Sequence, residues 1–425
     1  MTWNLKQLSL VAALFTALSG VNAGAETITL KAGRYLDVAR GRMIAPALII
    51  IEDSRILAIN PAAMPEVDRI IDLGELTLLP GLMDAHTHLT MELSSAWQHS
   101  AVTKTAGDFA LLGSANAQKT LMAGFTTVRD LGAPHFADVA VAHAIDNGMA
   151  QGPHLIAAAH GTGITGGHCD ATGYAPGVEL VSYRTGIGDG PDELIKAIRY
   201  QIKHGARVVK ICATSGVMSH EQTVGAQQTN FEELKAAAEE AHRHNLKIAA
   251  HAVGEEGIIA AAKAGIDSIE HASLLTPTAA KAIKQNGAYV VHTLYLLEAV
   301  DPASFPPEFL KKGMLIAEAS RESFKLALKE NLKIVFGTDA GVIPHGLNAK
   351  EFSVRVRLGQ QPLEAIRSAT LYASELLNVP DRGQITAGFQ ADIIAVDGDP
   401  LADISRLEDV KFVMKEGQIY KEPVR

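Results

Sequence analysis

The chain is poor in cysteine and aromatic residues, and it has no block of positive charge. Two cysteines occur, Cys169 and Cys212, and aromatic residues make up 5% of the sequence. A multi-disulfide framework is therefore excluded, and stability has to come from a packed core. One bridge is possible, but Cys212 falls in an apolar stretch that reads as a core strand, where a buried free thiol is the expected state. The net charge is −9 at pH 7, and no basic run interrupts it, which argues against a nucleic-acid partner. Beyond the N-terminus no apolar run is long enough to span a bilayer. With 425 residues and 47% hydrophobic content, the chain can bury a large core and is too long for one small domain.

Residues 1–25 read as a removable export signal. Lys6 supplies the early positive charge, Leu8 to Leu18 is apolar, and Ala23-Gly24-Ala25 has the small-residue pattern of a cleavage site. The mature chain is expected to start near Glu26, periplasmic or secreted, with no membrane attachment after cleavage. An uncleaved anchor is the alternative.

Both remaining ends are β-rich. Strands are expected at Thr27–Lys31, Ala47–Glu52, Arg55–Ile59 and Asp68–Leu73, then at Ala391–Asp397, Val410–Lys415 and Gln418–Tyr420. Residues 26–78 and 381–425 together suggest one small β-sandwich. Residues 79–380 alternate strand and helix. Strands are expected at Leu78–Asp84, Phe125–Asp130, Pro153–Ala159, Ala206–Cys212, Lys247–His251, Asp267–His271, Ala288–Thr293 and Leu332–Gly337. Helices lie between them, one opened by a capping box at Asn230 and Glu233. Eight such units predict an α/β chain with a (β/α)8 TIM-type barrel, whose chemistry lies at the C-terminal strand ends. An open doubly wound sheet is disfavoured, because no Gly-x-Gly-x-x-Gly turn follows the first strand.

The stretch that organises the chain is Leu79-Pro80-Gly81-Leu82-Met83-Asp84-Ala85-His86-Thr87-His88. Alternation along a strand sends residues i and i+2 to one side, so His86 and His88 project together. Two imidazoles at a strand end make half of a metal site. The other strand ends add polar residues at the same face: Lys210, His251, Glu270-His271 and Thr338-Asp339. Lys210 stands inside Val208-Val209-Lys210-Ile211, where a charged amine is costly to bury. A carbamate formed with CO2 would turn it into a carboxylate able to bridge two ions.

Asp84-Ala85-His86-Thr87-His88, Lys210, His251, His271 and Asp339, in this order, resemble the binuclear amidohydrolase superfamily. Within it the chain looks similar to exported Xaa-Pro dipeptidase and carboxypeptidase-like enzymes, a group that includes ochratoxin-hydrolysing amidohydrolases. His160-Gly161-Thr162-Gly163, Gly166-Gly167-His168, Thr214-Ser215-Gly216-Val217, Arg129-Asp130-Leu131-Gly132 and Gly337-Thr338-Asp339-Ala340 carry that finer likeness. The resemblance implies two divalent ions, with zinc favoured. His86, His88 and Asp339 would hold one, His251 and His271 the other, with Lys210 as a bridging N6-carboxylysine. It also implies a homo-oligomer. The stretch Val291-His292-Thr293-Leu294-Tyr295 departs from the pattern, with His292 where related hydrolases often carry proline.

The implied reaction is hydrolysis of an amide in a dipeptide or N-acyl amino acid, ochratoxin A among the candidates. It would release a C-terminal amino acid such as proline or phenylalanine. Water activated between the ions attacks the carbonyl, with Asp339 as general base and then acid. His160, His168 and His292 are candidate substrate contacts, and Tyr174 and Arg184 belong to the same long loop, His160 to Gly190. Two rivals stay open: a cyclic-amide or lactone hydrolase of the same superfamily, and a non-catalytic exported metal-binding protein.

Overall fold

A computed structural model describes residues 26–423 except 95–96, 176, 179–180, 222, 300–301 and 303–305. The expected export signal lies outside the described residues.

The N-terminal part forms β1 (Thr27–Ala32), β2 (Arg34–Asp37), β3 (Arg42–Ile44), β4 (Ala47–Glu52), β5 (Arg55–Ile59), β6 (Arg69–Asp72) and β7 (Thr77–Pro80). The strands of the middle region are β8 (Leu82–Thr87), β9 (Phe125–Asp130), β10 (His154–Ala157), β11 (Val208–Cys212), β12 (Lys247–Ala252), β13 (Ser268–His271), β14 (Tyr289–Val291) and β15 (Lys333–Ile334). The chain closes with β16 (Ile393–Val396), β17 (Phe412–Lys415) and β18 (Gln418–Lys421).

The two ends of the chain form two sheets, one of N-terminal strands alone and one that mixes strands from both ends. One has the order β5-β4-β1-β6, the other β18-β17-β16-β7-β2-β3. Alternation divides the second sheet between two cores. Tyr35, Leu78, Ile393 and Phe412 pack against Ile28, Leu30 and Ile49 of the first sheet. Their neighbours Leu36, Leu79, Ile394 and Val413 face Leu121, Val141 and other residues of the helical layer. The small β-unit is thus fused to the larger one through apolar packing, which is non-directional and grows with the area covered.

The expected first strand, Leu78–Asp84, is two strands that serve different sheets. Gly81 divides them. Its N–H donates to Asp392 O at 2.8 Å, whereas that of Leu82 donates to Gly124 O at 3.0 Å. A Cβ at Gly81 would fall 2.1 Å from Thr126 Oγ1, so only glycine lets the chain cross here. Alternation alone cannot reveal that hydrogen-bond partners change across a glycine. β2 and β3, not anticipated, complete the edge of the mixed sheet.

Strands β8–β15 run parallel in two sheets, β10-β9-β8 and β11-β12-β13-β14-β15. Backbone hydrogen bonds cross both seams. Arg207 N donates to Ala157 O (2.8 Å) and Thr162 N to Lys210 O (2.7 Å) at one; Ala85 N donates to Phe336 O (2.9 Å) and Asp339 N to His86 O (2.8 Å) at the other.

The helices are α1 (Trp97–Thr103), α2 (Ala106–Met122), α3 (Ala137–Asp146), α4 (Pro191–Lys203), α5 (Phe231–Arg243), α6 (Glu255–Lys263), α7 (Pro277–Asn286), α8 (Leu296–Ala299), α9 (Pro307–Lys329), α10 (Lys350–Arg357), α11 (Pro362–Ser368) and α12 (Leu371–Leu377). At α5 the Asn230 side chain accepts from Glu233 N at 3.0 Å, and Glu233 Oε2 accepts from Asn230 N at 2.8 Å, a reciprocal capping box. A second capping box, Thr105 with Asp108, starts α2. Among the described residues no helix is long and apolar enough to cross a membrane.

Candidate active site

The C-terminal ends of the parallel strands open into a cavity of about 910 Å³. His86, His88, Lys210, His251, His271 and Asp339 all line it. His86 is buried on β8, and His88 follows two residues later with its side chain 20% exposed. Thr87 points away between them and donates to Arg129 O at 3.1 Å. The Nε2 atoms of His86 and His88 lie 3.6 and 3.5 Å from the same oxygen, Oδ1 of Asp339. One ligand atom from each of the three residues fits within 4.8 Å of the others, a spacing that suits one metal ion.

Asp84 builds this corner. Its Oδ2 accepts from Thr338 Oγ1 at 2.6 Å and Asn348 Nδ2 at 2.8 Å, and its Oδ1 accepts from Thr338 N at 3.2 Å. The carboxylate therefore ties β8 to the turn that presents Asp339. Asp339 and His271 both have left-handed backbone, with φ of 60° and 68°. Such conformations cost non-glycine residues about 1–3 kcal/mol and persist where the surroundings impose them.

The second half of the cluster continues from ring to ring. Centroids of His86 and His271 are 4.8 Å apart, those of His271 and His251 4.8 Å, and those of His251 and His168 4.0 Å. His88 Nδ1 is held by Gly132 O at 2.9 Å and His271 Nδ1 by Thr293 Oγ1 at 2.9 Å. Nε2 of His251 is buried and has no hydrogen-bond partner among the described residues. An orphaned imidazole nitrogen among other imidazoles and a carboxylate is what a divalent ion would satisfy.

Electrostatics favour neutral nitrogen donors. Burial, reinforced by Lys210, holds His86 well below the usual imidazole range and brings His88 to about 4. Burial and neighbouring histidines do the same to His251 and His271. Burial pushes Asp339 up to about 6, against the pull of Lys210. Lys210 comes down to about 8, because burial outweighs the Glu270 and Asp339 carboxylates.

The three candidate substrate histidines separate clearly. His160 lines the cavity but has both ring nitrogens engaged: Nε2 accepts from His135 N at 3.0 Å, and Nδ1 lies 3.0 Å from Gln201 Oε1. His168 also lines the cavity, with Nδ1 2.9 Å from Ser219 Oγ and its ring against Gly216 and His251. Lys312 on α9 braces this region by donating to the carbonyls of Gly216 and Glu221 at 3.2 and 3.0 Å. His292 does not reach the cavity. It is fully buried against Phe324, with Nε2 3.2 Å from Ser323 Oγ. Tyr174 and Arg184 are also absent from the lining; Arg184 is exposed, and its Nε contacts Tyr183 Oη at 3.3 Å.

The free-thiol expectation is overturned as well. Cys212 is disulfide-bonded to Cys169, with Cα atoms 5.7 Å apart, and both residues line the cavity. The long loop after β10 returns to β11, a contact set by tertiary packing that local apolarity cannot report. Sequence reading also missed Asp84 and Arg129 as framework residues, although each sits within a quoted motif. Part of the cavity lining is apolar, with Leu296, Leu297, Phe309, Leu310, Met314 and Ala317.

The histidine- and carboxylate-lined cavity is a candidate metal centre, and the comparisons with known proteins make the chain a metal-dependent hydrolase of carbon–nitrogen bonds. The amidohydrolase family model matches residues 77–420, and the chain belongs to that family. Its members generally bind divalent metals. The ochratoxinase of Aspergillus niger is 33% identical over 370 residues, covering 81% of this chain and 76% of that protein. A solved Xaa-Pro dipeptidase with methionine bound in its active site superposes with a TM-score of 0.88 at 34% identity, covering 93% of this chain and all of that one. The solved A. niger ochratoxinase gives 0.81 at 29% identity, covering 94% and 96%. These relatives imply a TIM barrel with a small second domain.

Proposed function

We propose that this enzyme is a binuclear amide hydrolase that releases a C-terminal amino acid, such as proline or phenylalanine, from dipeptides or N-acyl amino acids, ochratoxin A among them. One observation carries the reading. Four imidazoles, one lysine and one aspartate converge at strand ends in a single cavity, and the Nε2 of His251 has no partner among the described residues. His86, His88 and Asp339 would hold one ion, and His251 and His271 the other. Two ions so held would polarise the amide carbonyl and make water between them more acidic.

The chain's own groups account for the remaining steps. At about 8, the Lys210 amine is accessible as the neutral nucleophile that CO2 requires. Its nitrogen attacks the carbon of CO2 and loses one proton, giving a carbamate that would bridge the ions. Asp339 takes a proton from the attacking water and delivers it to the leaving amine nitrogen. His168 is better placed than His160 to meet the substrate's carbonyl or carboxylate, since both nitrogens of His160 are already engaged. The apolar part of the lining would take the hydrophobic part of the substrate. We also read β8–β15 as a closed (β/α)8 barrel, supported by the hydrogen bonds at both seams. Export of the mature chain is supported by the disulfide, which an oxidising compartment allows.

The test is a panel of N-acyl amino acids, their C-terminal amides and Xaa-Pro dipeptides, assayed with zinc. Cleavage of the acids, with the amides at least tenfold poorer in kcat/KM, is expected. Equal cleavage of acid and amide would remove carboxylate recognition. Hydrolysis confined to cyclic amides or lactones would favour the superfamily rival, and no hydrolysis at full metal content would favour a binding protein.

A further inference from the structure

Glu270 precedes His271 on β13 and is fully buried. Its Oε2 lies 2.8 Å from Nδ1 of His86. Its Oε1 accepts from Arg129 Nη2 at 2.8 Å and from Ser268 Oγ at 2.5 Å. Arg129, 1% exposed, donates in addition from Nε to Ala85 O at 2.6 Å and from Nη1 to Ser268 Oγ at 3.0 Å. One guanidinium and one carboxylate thereby join β8, β9 and β13 behind the cluster. A buried ion pair of this kind contributes little net stability against an apolar replacement, because desolvation offsets attraction. Its effect is geometric.

An ionised carboxylate only accepts hydrogen bonds. Facing Glu270, Nδ1 of His86 has to carry the ring proton, which leaves the lone pair on Nε2, the atom 3.6 Å from Asp339 Oδ1. The partners of the neighbouring rings act differently. Gly132 O beside His88 accepts but carries no charge, and Thr293 Oγ1 beside His271 can donate or accept.

We infer that Glu270 is a positioning residue: it fixes His86 in its Nδ1–H form and strengthens Nε2 as a donor to a divalent ion, while Arg129 holds Glu270 in place. The metal part rests on the function proposed above, whereas the tautomer part rests on these side chains alone. A carboxylate behind a ligating imidazole is worth about 10–100-fold in metal affinity.

Two variants test this, Glu270→Gln and the paired Glu270→Gln/Arg129→Met, which leaves no buried guanidinium without its anion. Protein labelled with 15N-histidine and free of metal is examined by long-range proton–nitrogen correlation, and zinc affinity is read by competition with a chelator. The inference expects Nδ1–H at His86 in the wild type and a mixed or reversed tautomer in both variants. Zinc affinity should fall about 10–100-fold, with the metal-free Tm of the paired variant close to wild type. A lower Tm with unchanged zinc affinity and an unchanged His86 spectrum would assign Glu270 a merely structural role and overturn the inference. So would a wild-type His86 protonated on Nε2. If the wild type takes up no zinc, the proposed function fails, and the tautomer spectra alone decide for or against Glu270.

Discussion

Cys169 and Cys212 are joined by a disulfide that ties the loop carrying His168 to the strand carrying Lys210. The bridge spans 43 residues of sequence. Closing a loop of that size stabilises a fold by about 2–4 kcal/mol. The Cys169→Ser/Cys212→Ser variant should lose stability of that order in denaturant unfolding. It should also lose kcat/KM under conditions where it is fully folded, because His168 adjoins Cys169. Dithiothreitol should reproduce both effects in the wild type. Unaltered kinetics in the folded variant would show that the loop holds His168 without the bridge.

Replacement of Lys210 by alanine should remove one or both metals, since the proposed bridging anion is gone. Elemental analysis reads this directly, and a short-chain carboxylic acid should restore part of the activity. Wild-type protein supplied with 13C-bicarbonate should show a carbamate resonance absent from the variant. Chelation should abolish hydrolysis and added zinc restore it. A fully metallated, active Lys210→Ala enzyme would refute the carbamate.

Gly216→Ala should strike His168. A Cβ there would lie 2.4 Å from His168 Cε1 and 2.7 Å from both ring nitrogens. The ring must shift, and a displacement near 1 Å costs about 100-fold in rate. We expect a loss of that order in kcat/KM with metal content unchanged. Full activity would show that His168 neither touches substrate nor orders the site.

His292 supplies a pH prediction. Burial, with Arg355 nearby, lowers its pKa to about 3. The unfolded chain, with an ordinary imidazole, therefore binds a proton that the folded state refuses. This contribution to stability is whole above about pH 6.5 and drains away as pH falls toward 3, by up to about 1.4 kcal/mol per pH unit. His292→Gln should flatten the acid limb of a stability–pH curve and leave kcat/KM near wild type, since the side chain is outside the cavity lining. A large loss of activity with unchanged acid sensitivity would contradict both points.

The residues at the strand ends were legible because strand alternation is local. Two positions apart means the same side, so His86 and His88 point together whatever the rest of the chain does. The strand–helix rhythm and the apolar runs likewise announced parallel strands with their polar residues at one end. The sequence by itself therefore determined the family, the order of the strands and the six residues that meet in the cavity.

Tertiary structure alone decided the partners. Gly81 separates two sheets because Thr126 and Asp392, far along the chain, pack against and bond to it. His160 is spent on His135 and Gln201, His292 turns into the core, and Arg184 stays at the surface, although all three looked available as loop or strand-end side chains. Cys212 found Cys169, and His86 found Glu270, across separations of 43 and 184 residues. Hydrogen bonds and disulfides need contact within a few ångströms, and the path of a long loop or the meeting of two distant strands is set by packing of the whole chain. Local residue patterns contain the donors and acceptors; the fold chooses which of them meet.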